Sequence, residues 1–239
     1  GGEKDTKIVI GLLEKNLISV SRIDDSVRRI LKNKFSLGLF DNPYVEVDLV
    51  KDRVNTDRNI KLGREAQKKS MVLLKNDSIL PLKKNLNIFL DGFKTKDLSY
   101  GNVVSNIESA DVIVSYLHTV FNGNQPSGID RLVDNVLSTI FPNQDLNFNP
   151  EIINKLDSFA QEKPTIVIVD LNRPAILNRI NEMSSGLLAT FGVDEEVIFE
   201  ILFGYHTPNG KLPFEIPSSM DEVRNQFEDV PDDTKNPTF

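Results

Sequence analysis

The 239-residue chain contains no cysteine, which excludes disulfides and thiol catalysis and leaves the redox compartment unread. Histidine is scarce as well: there are 2, His118 and His206, far apart in sequence. With no cysteine and no spaced set of carboxylates, the usual ligand patterns do not occur, and neither a metal nor a cofactor is expected. No run approaches the roughly 18 apolar residues that a transmembrane helix needs. Positive charge is in the minority, with 28 basic against 35 acidic side chains and a net charge of -7. That balance argues against general affinity for nucleic acid or an anionic membrane and suits a neutral partner. A phosphate-cradling turn is lacking, since Asp91-Gly92-Phe93-Lys94 offers a single glycine. An acidic cluster of the response-regulator kind has only Asp91 and Asp170 to draw on. The chain opens Gly-Gly-Glu-Lys, in mid-element and without a signal-peptide pattern, so it reads as a piece of a longer protein. The compartment of that protein stays open, a secreted, periplasmic or cell-envelope parent among the options.

What is present is a regular alternation. Lys7 to Glu14 suits a helix weakened by Gly11, and Ser21 or Asp24 is placed to cap a second one. In that second helix Ile23, Val27, Ile30, Leu31 and Phe35 recur at helical spacing. Asn42 to Asp57 has no clear period and reads as a linker. Beyond it come a helix over Asn59 to Lys69 and strands at Met71–Leu74, Asn87–Asp91 and Asp111–Leu117. A loop over Phe121–Gly128, a helix over Ile129–Ile140 and a loop over Pro142–Pro150 follow. Then come a helix over Ile152–Phe159, a β-branched strand at Thr165–Val169 and a short helix at Ala175–Ile180. The next stretch, Gly186 to Pro217, reads as strand, helix, turn and strand. Asp194 is placed to cap its helix through a backbone N–H, with Glu195 and Glu196 at the positive end of the dipole. Val197, Ile198, Ile201 and Leu202 supply the apolar face, Gly204 stops the helix, and Lys211 to Ile216 runs out extended.

Strands alternating with helices predict an α/β fold: a mostly parallel sheet between two helix layers, a flavodoxin-like three-layer sandwich with an N-terminal helical extension. Ligands of such sheets gather at the carboxyl ends of the strands. The loops after Leu117, Leu171 and Gly192 are therefore where a site belongs.

Several motifs carry a resemblance. Arg28-Arg29-Ile30-Leu31-Lys32-Asn33-Lys34-Phe35-Ser36-Leu37-Gly38-Leu39-Phe40 is one, and Val72-Leu73-Leu74-Lys75-Asn76 with Leu80-Pro81-Leu82 is another. Asn172-Arg173-Pro174 is similar to a "GRP" motif with Asn172 where glycine is usual, and Leu202-Phe203-Gly204 leads to Pro208-Asn209-Gly210-Lys211-Leu212-Pro213. In this order they resemble glycoside hydrolase family 3, the β-glucosidases and their relatives. The resemblance implies that 1–41 is the tail of an N-terminal barrel, 42–57 a linker, 58–220 the C-terminal α/β sandwich domain and 221–239 a surface tail. It implies a partner in that barrel and a carbohydrate substrate. The apolar face of the second helix would then need another surface: its own domain, a second copy in a dimer, or a lattice neighbour.

A retaining glycosidase needs two carboxyl groups about 5 Å apart. The family's nucleophile is an aspartate of the barrel, so it is absent from this chain, and the isolated chain is expected to be inactive. In many members the acid is a glutamate in the loop after the strand that resembles Asp111–Leu117. Here His118 to Pro126 contains no carboxylate. The acid is then Asp145 or Glu151 on a rearranged loop, or a barrel residue, or it has been lost. His118, Phe121, Asp170 and Arg173 are candidate substrate contacts. Each has a plainer reading: His118 as a polar contact, Phe121 and Phe148 as covers of a core edge, Asp170 as the cap of the next turn, Arg173 as half of an ion pair. The competing function is a non-catalytic carbohydrate-binding or domain-interface module.

Overall fold

The computed structural model describes residues 6–95, 98, 100–119, 145–227 and 230–239. The expected helix over 129–140 and Phe121 lie outside the described residues. The chain divides into two compact units, Gly1–Thr56 and Asp57–Phe239.

The first unit carries α1 (Thr6–Glu14) and α2 (Val20–Ser36). The cap of α2 is Ser19, whose hydroxyl accepts the Arg22 N–H at 3.2 Å, rather than Ser21 or Asp24. Val27, Ile30 and Phe35 of its apolar face are exposed. The 42–57 stretch is not featureless. It holds a 3₁₀ turn, Val47–Leu49, running into the one-turn helix α3 (Val50–Arg53).

The second unit begins with α4 (Asp57–Ser70) and continues through β1 (Val72–Asn76), β2 (Asn87–Asp91), β3 (Asn102–Val104) and β4 (Val112–His118). After these come α5 (Pro150–Glu162), β5 (Thr165–Asp170), α6 (Asn178–Met183), β6 (Gly186–Thr190), α7 (Glu195–Leu202) and α8 (Met220–Asn225). One six-stranded sheet runs β1-β6-β5-β4-β2-β3. All neighbours are parallel except β1, which pairs antiparallel with β6 at the edge. Leaving β1 aside, the order of β2 to β6 is the doubly wound, flavodoxin-like one, with its switch point between β2 and β4.

The central strands are buried on both faces, so their sequences are continuous apolar runs. Ile166, Ile168 and Leu188 point with Val114 to the layer of α7, where Val197, Ile198, Ile201 and Leu202 cover them. Val167, Val169, Leu187 and Ala189 point the other way, to Leu156 and Phe159 of α5 and Ile180 of α6. A fully buried side chain of this size is worth about 1.5–3 kcal/mol, so the two layers dominate the stability of the unit. Charges tie α4 to α7: Arg64 meets Glu200 at 2.7 Å and Glu196 at 3.0 Å, and Lys68 meets Glu200 at 2.9 Å.

Three local expectations are corrected. The short helix spans Asn178–Met183 instead of Ala175–Ile180; the chain before it is tied elsewhere, with the Ile176 N–H donating to the Leu146 carbonyl at 3.0 Å and Leu177 buried at the N-cap. Lys211 to Ile216 forms no strand, since Pro213 and Pro217 cannot serve as ladder donors; Ile216 N–H instead donates to the Phe239 carbonyl at 2.9 Å, and Pro217 bridges Pro237. Asp194 stands at the N-cap of α7, but its carboxylate makes no cap bond; it accepts from Gln67 Nε2 at 3.1 Å. The 221–239 stretch opens inside α8, which is capped by Ser219, and its described residues are exposed or half-buried apart from Thr234.

Candidate functional site

The carboxyl edge of the sheet gathers polar side chains around one buried carboxylate. Asp170, the last residue of β5, is 4% exposed. Parallel register sets His118 of β4 beside it on one flank and Thr190 of β6 on the other. Asp170 Oδ1 accepts the Gly192 N–H at 2.7 Å and the Thr190 hydroxyl at 3.4 Å. Its Oδ2 accepts the Asn172 amide at 3.1 Å and faces His118 Nδ1 at 3.2 Å. Its backbone carbonyl receives Thr119 N–H at 3.2 Å and the Thr119 hydroxyl at 3.1 Å. One residue thus ties together the starts of the chains leaving β4, β5 and β6. Asn172, which departs from the motif glycine, finds its role here as a donor. Gly192 has φ +69, the left-handed region in which a side chain is strained, and that turn aims its N–H at the carboxylate.

Behind His118 lies a row of rings. His118 packs on Tyr116 at 4.5 Å between centroids, Tyr116 on Phe93 at 5.2 Å, and Phe93 on Phe199 of α7 at 5.1 Å. Burial pushes the Tyr116 phenol above its usual range; a hydrogen bond with Thr190 opposes this, and the Asp170 and Glu195 charges reinforce it. Glu195 accepts the N–H groups of Lys94 at 2.9 Å and Thr95 at 3.0 Å, and so holds the chain leaving β2 against α7. At the switch point, Asp91 receives the Ser115 hydroxyl at 2.7 Å and pairs with Lys155 at 2.8 Å.

A second group sits at the same edge. Thr119, Asp145, Asn147, Arg173 and Pro174 line a depression. Arg173 donates to the Asp145 carbonyl at 3.2 Å, while Asp145 Oδ1 accepts the Asn147 N–H at 2.9 Å and the Asn147 amide at 2.8 Å. Glu151 is exposed in the first turn of α5, whose N-cap is Asn149. Phe148 is buried in the layer of α5 and α6 and presents no ring to solvent.

The structure therefore brings His118 and Asp170 into direct contact and sets Arg173 beside the backbone of Asp145. Sequence reasoning missed Thr190, Gly192 and Asn172 as partners of Asp170. The available signal was an acid closing an unbroken β-branched strand, with an asparagine two residues on. Among the described residues no group of three or more His, Asp and Glu side chains is placed to hold a metal, and no helix is long and apolar enough to cross a membrane.

Residues 100–239 match the family described as the glycosyl hydrolase family 3 C-terminal domain. Along its whole length the chain is 36% identical to a probable beta-glucosidase C of Aspergillus oryzae and covers 37% of that protein. It is 34% identical, again over its whole length, to a periplasmic beta-glucosidase/beta-xylosidase of Dickeya chrysanthemi, of which it covers 36%. The chain thus spans little more than a third of the length of the curated relatives it matches. Among solved structures, a beta-glucosidase from Listeria innocua in complex with glucose superposes with a TM-score of 0.62 at 22% identity, over 95% of this chain and 39% of that one. That likeness concerns the fold, and it agrees with the six-stranded sandwich described above. Taken with the match over 100–239, it leads to one conclusion: the chain belongs to glycosyl hydrolase family 3, as a C-terminal domain of that family.

Proposed function

We propose that this chain is the C-terminal domain of a longer β-glycosidase, acting on β-glucosides or related β-glycosides, and that its sheet edge forms one wall of the sugar site. The observation that carries the reading is the full-length match to relatives named beta-glucosidase and beta-xylosidase, of which the chain covers about a third. The polar edge around Asp170 and the depression between Thr119, Asp145 and Arg173 support the placement of the wall. Retaining hydrolysis divides the work between a nucleophile and an acid. The nucleophile comes from the barrel, and this chain supplies substrate contacts through His118 and Arg173, with the buried Asp170 holding His118 in place. Of the two candidate acids on this chain, Asp145 lines the depression, whereas Glu151 does not, so Asp145 is the one to test.

The test uses the complete polypeptide and this chain alone, with an aryl β-glucoside of good leaving group and an alkyl β-glucoside of poor one. The complete polypeptide is expected to cleave the aryl substrate, and the chain alone neither. A general acid contributes about 10²–10⁴-fold, mainly for the poor leaving group. An Asp145→Asn loss of that size on the alkyl substrate assigns the acid to Asp145, and unchanged rates move it to the barrel. A complete polypeptide that binds sugar without cleaving either substrate overturns the enzyme reading in favour of a non-catalytic carbohydrate-binding module.

A further inference from the structure

The bond between Asp170 and His118 has a consequence for how the edge reads a ligand. We propose that Asp170 fixes His118 as the Nδ1–H tautomer, so that His118 presents Nε2 outward as a hydrogen-bond acceptor for a sugar hydroxyl. This rests on the carbohydrate reading above for its ligand class, while the tautomer stands on geometry alone.

An ionised carboxylate is acceptor-only. Asp170 already takes the Gly192 N–H on Oδ1 and the Asn172 amide on Oδ2, so the hydrogen between it and His118 sits on the ring. A neutral imidazole with its proton on Nδ1 has a lone pair on Nε2. The imidazole side chain is 55% exposed, against 6% for the carboxylate. Among the described residues Asp170 is the hydrogen-bond partner of His118, and the Tyr116 ring backs it. The ring is therefore held at one nitrogen and along one face, and its other nitrogen is left for a ligand. Asp170, which sets this orientation, is buried at the end of β5, and Tyr116, which backs the ring, is buried in β4. Asp170 acts here as a positioning residue; His118 makes the contact.

The 2 histidines of the chain make the tautomer directly observable. With ¹⁵N-labelled histidine at about pH 8.5, where an ordinary imidazole is neutral, NMR separates protonated from unprotonated ring nitrogens. A His118→Asn spectrum assigns the signals. The wild-type chain should show Nδ1 protonated and Nε2 bare. Asp170→Asn, which turns an amide N–H toward the ring, should invert the pair. Asn172→Ala should leave it as in wild type. A wild-type His118 with its proton on Nε2, or as an even mixture, overturns the proposal whether or not the Asp170 variant folds. The ligand contact is read in the complete polypeptide on an aryl β-glucoside. His118→Ala should raise KM by about 3- to 10-fold, the value of one hydrogen bond. His118→Gln, whose side-chain oxygen offers an acceptor on a longer stem, should recover part of it. An unchanged KM in His118→Ala overturns the contact. A polypeptide without any turnover defeats the glycosidase reading instead, and leaves the tautomer result standing.

Discussion

Replacing Asp170 should cost more than its single carboxylate suggests, because 4 donors converge on it. In Asp170→Ala the Gly192 N–H at 2.7 Å loses a charge-assisted partner, worth about 1.5–3 kcal/mol. The Asn172 amide at 3.1 Å belongs to an exposed residue and adds less than about 1 kcal/mol. His118 is exposed enough to turn to water, and the 3.4 Å contact from Thr190 is long, so these two add little. Removing a buried charge recovers some of its desolvation, which trims the sum. The net expectation is about 1.5–3 kcal/mol for Asp170→Ala. Asp170→Asn keeps an oxygen for Gly192 and lets the Asn172 amide and the His118 ring reverse their polarity, so about 1 kcal/mol is expected there. Urea unfolding by far-UV circular dichroism reads both, since a chain without tryptophan gives no indole signal. Two variants both within about 0.5 kcal/mol of wild type, the range of an ordinary surface substitution, would refute the hub.

Two further expectations follow from packing and charge. Gly92 has φ +80, and a Cβ there would stand 2.2 Å from the Tyr116 carbonyl oxygen, so Gly92→Ala should destabilise by at least about 2 kcal/mol in the same unfolding assay. Burial raises the Glu200 carboxyl, but the hydrogen bonds and charges of Arg64 and Lys68 outweigh it and hold the group below the usual carboxylate range. A carboxyl lowered on folding contributes stability above its unfolded value and loses it as pH falls through the folded one. Stability should therefore fall as pH drops below about 4.5, and Glu200→Gln should flatten that slope in unfolding midpoints measured from pH 6 down to about pH 3.

Much of the sandwich was legible because its interior strands are buried on both faces. Val112–Leu117, Thr165–Val169 and Gly186–Thr190 are runs that only a covered strand explains, and α7 carries its apolar face at plain helical spacing. The edges were harder to read. β3 is 3 residues long and half-solvated, so it leaves no pattern, and the antiparallel sense of β1 is a property of its neighbour β6. The site was legible as a place but not as a set of bonds. A doubly wound sheet puts ligands at the carboxyl edge, which pointed to His118, Asp170 and Arg173. That Asp170 serves Gly192, Thr190, Asn172 and His118 together depends on strand register, and register between distant segments is not written in either segment alone. Asp194 shows the same limit: its position at a helix start was correct, yet Gln67, 127 residues away, competes for its carboxylate.

The most direct test of the account is a structure of the complete polypeptide with glucose bound. The account predicts a sugar oxygen within about 3.2 Å of a side chain at the carboxyl edge, His118 Nε2 first among them. A sugar enclosed by the barrel alone, with the edge around Asp170 turned away from it, would contradict the claim that this domain forms a wall of the site.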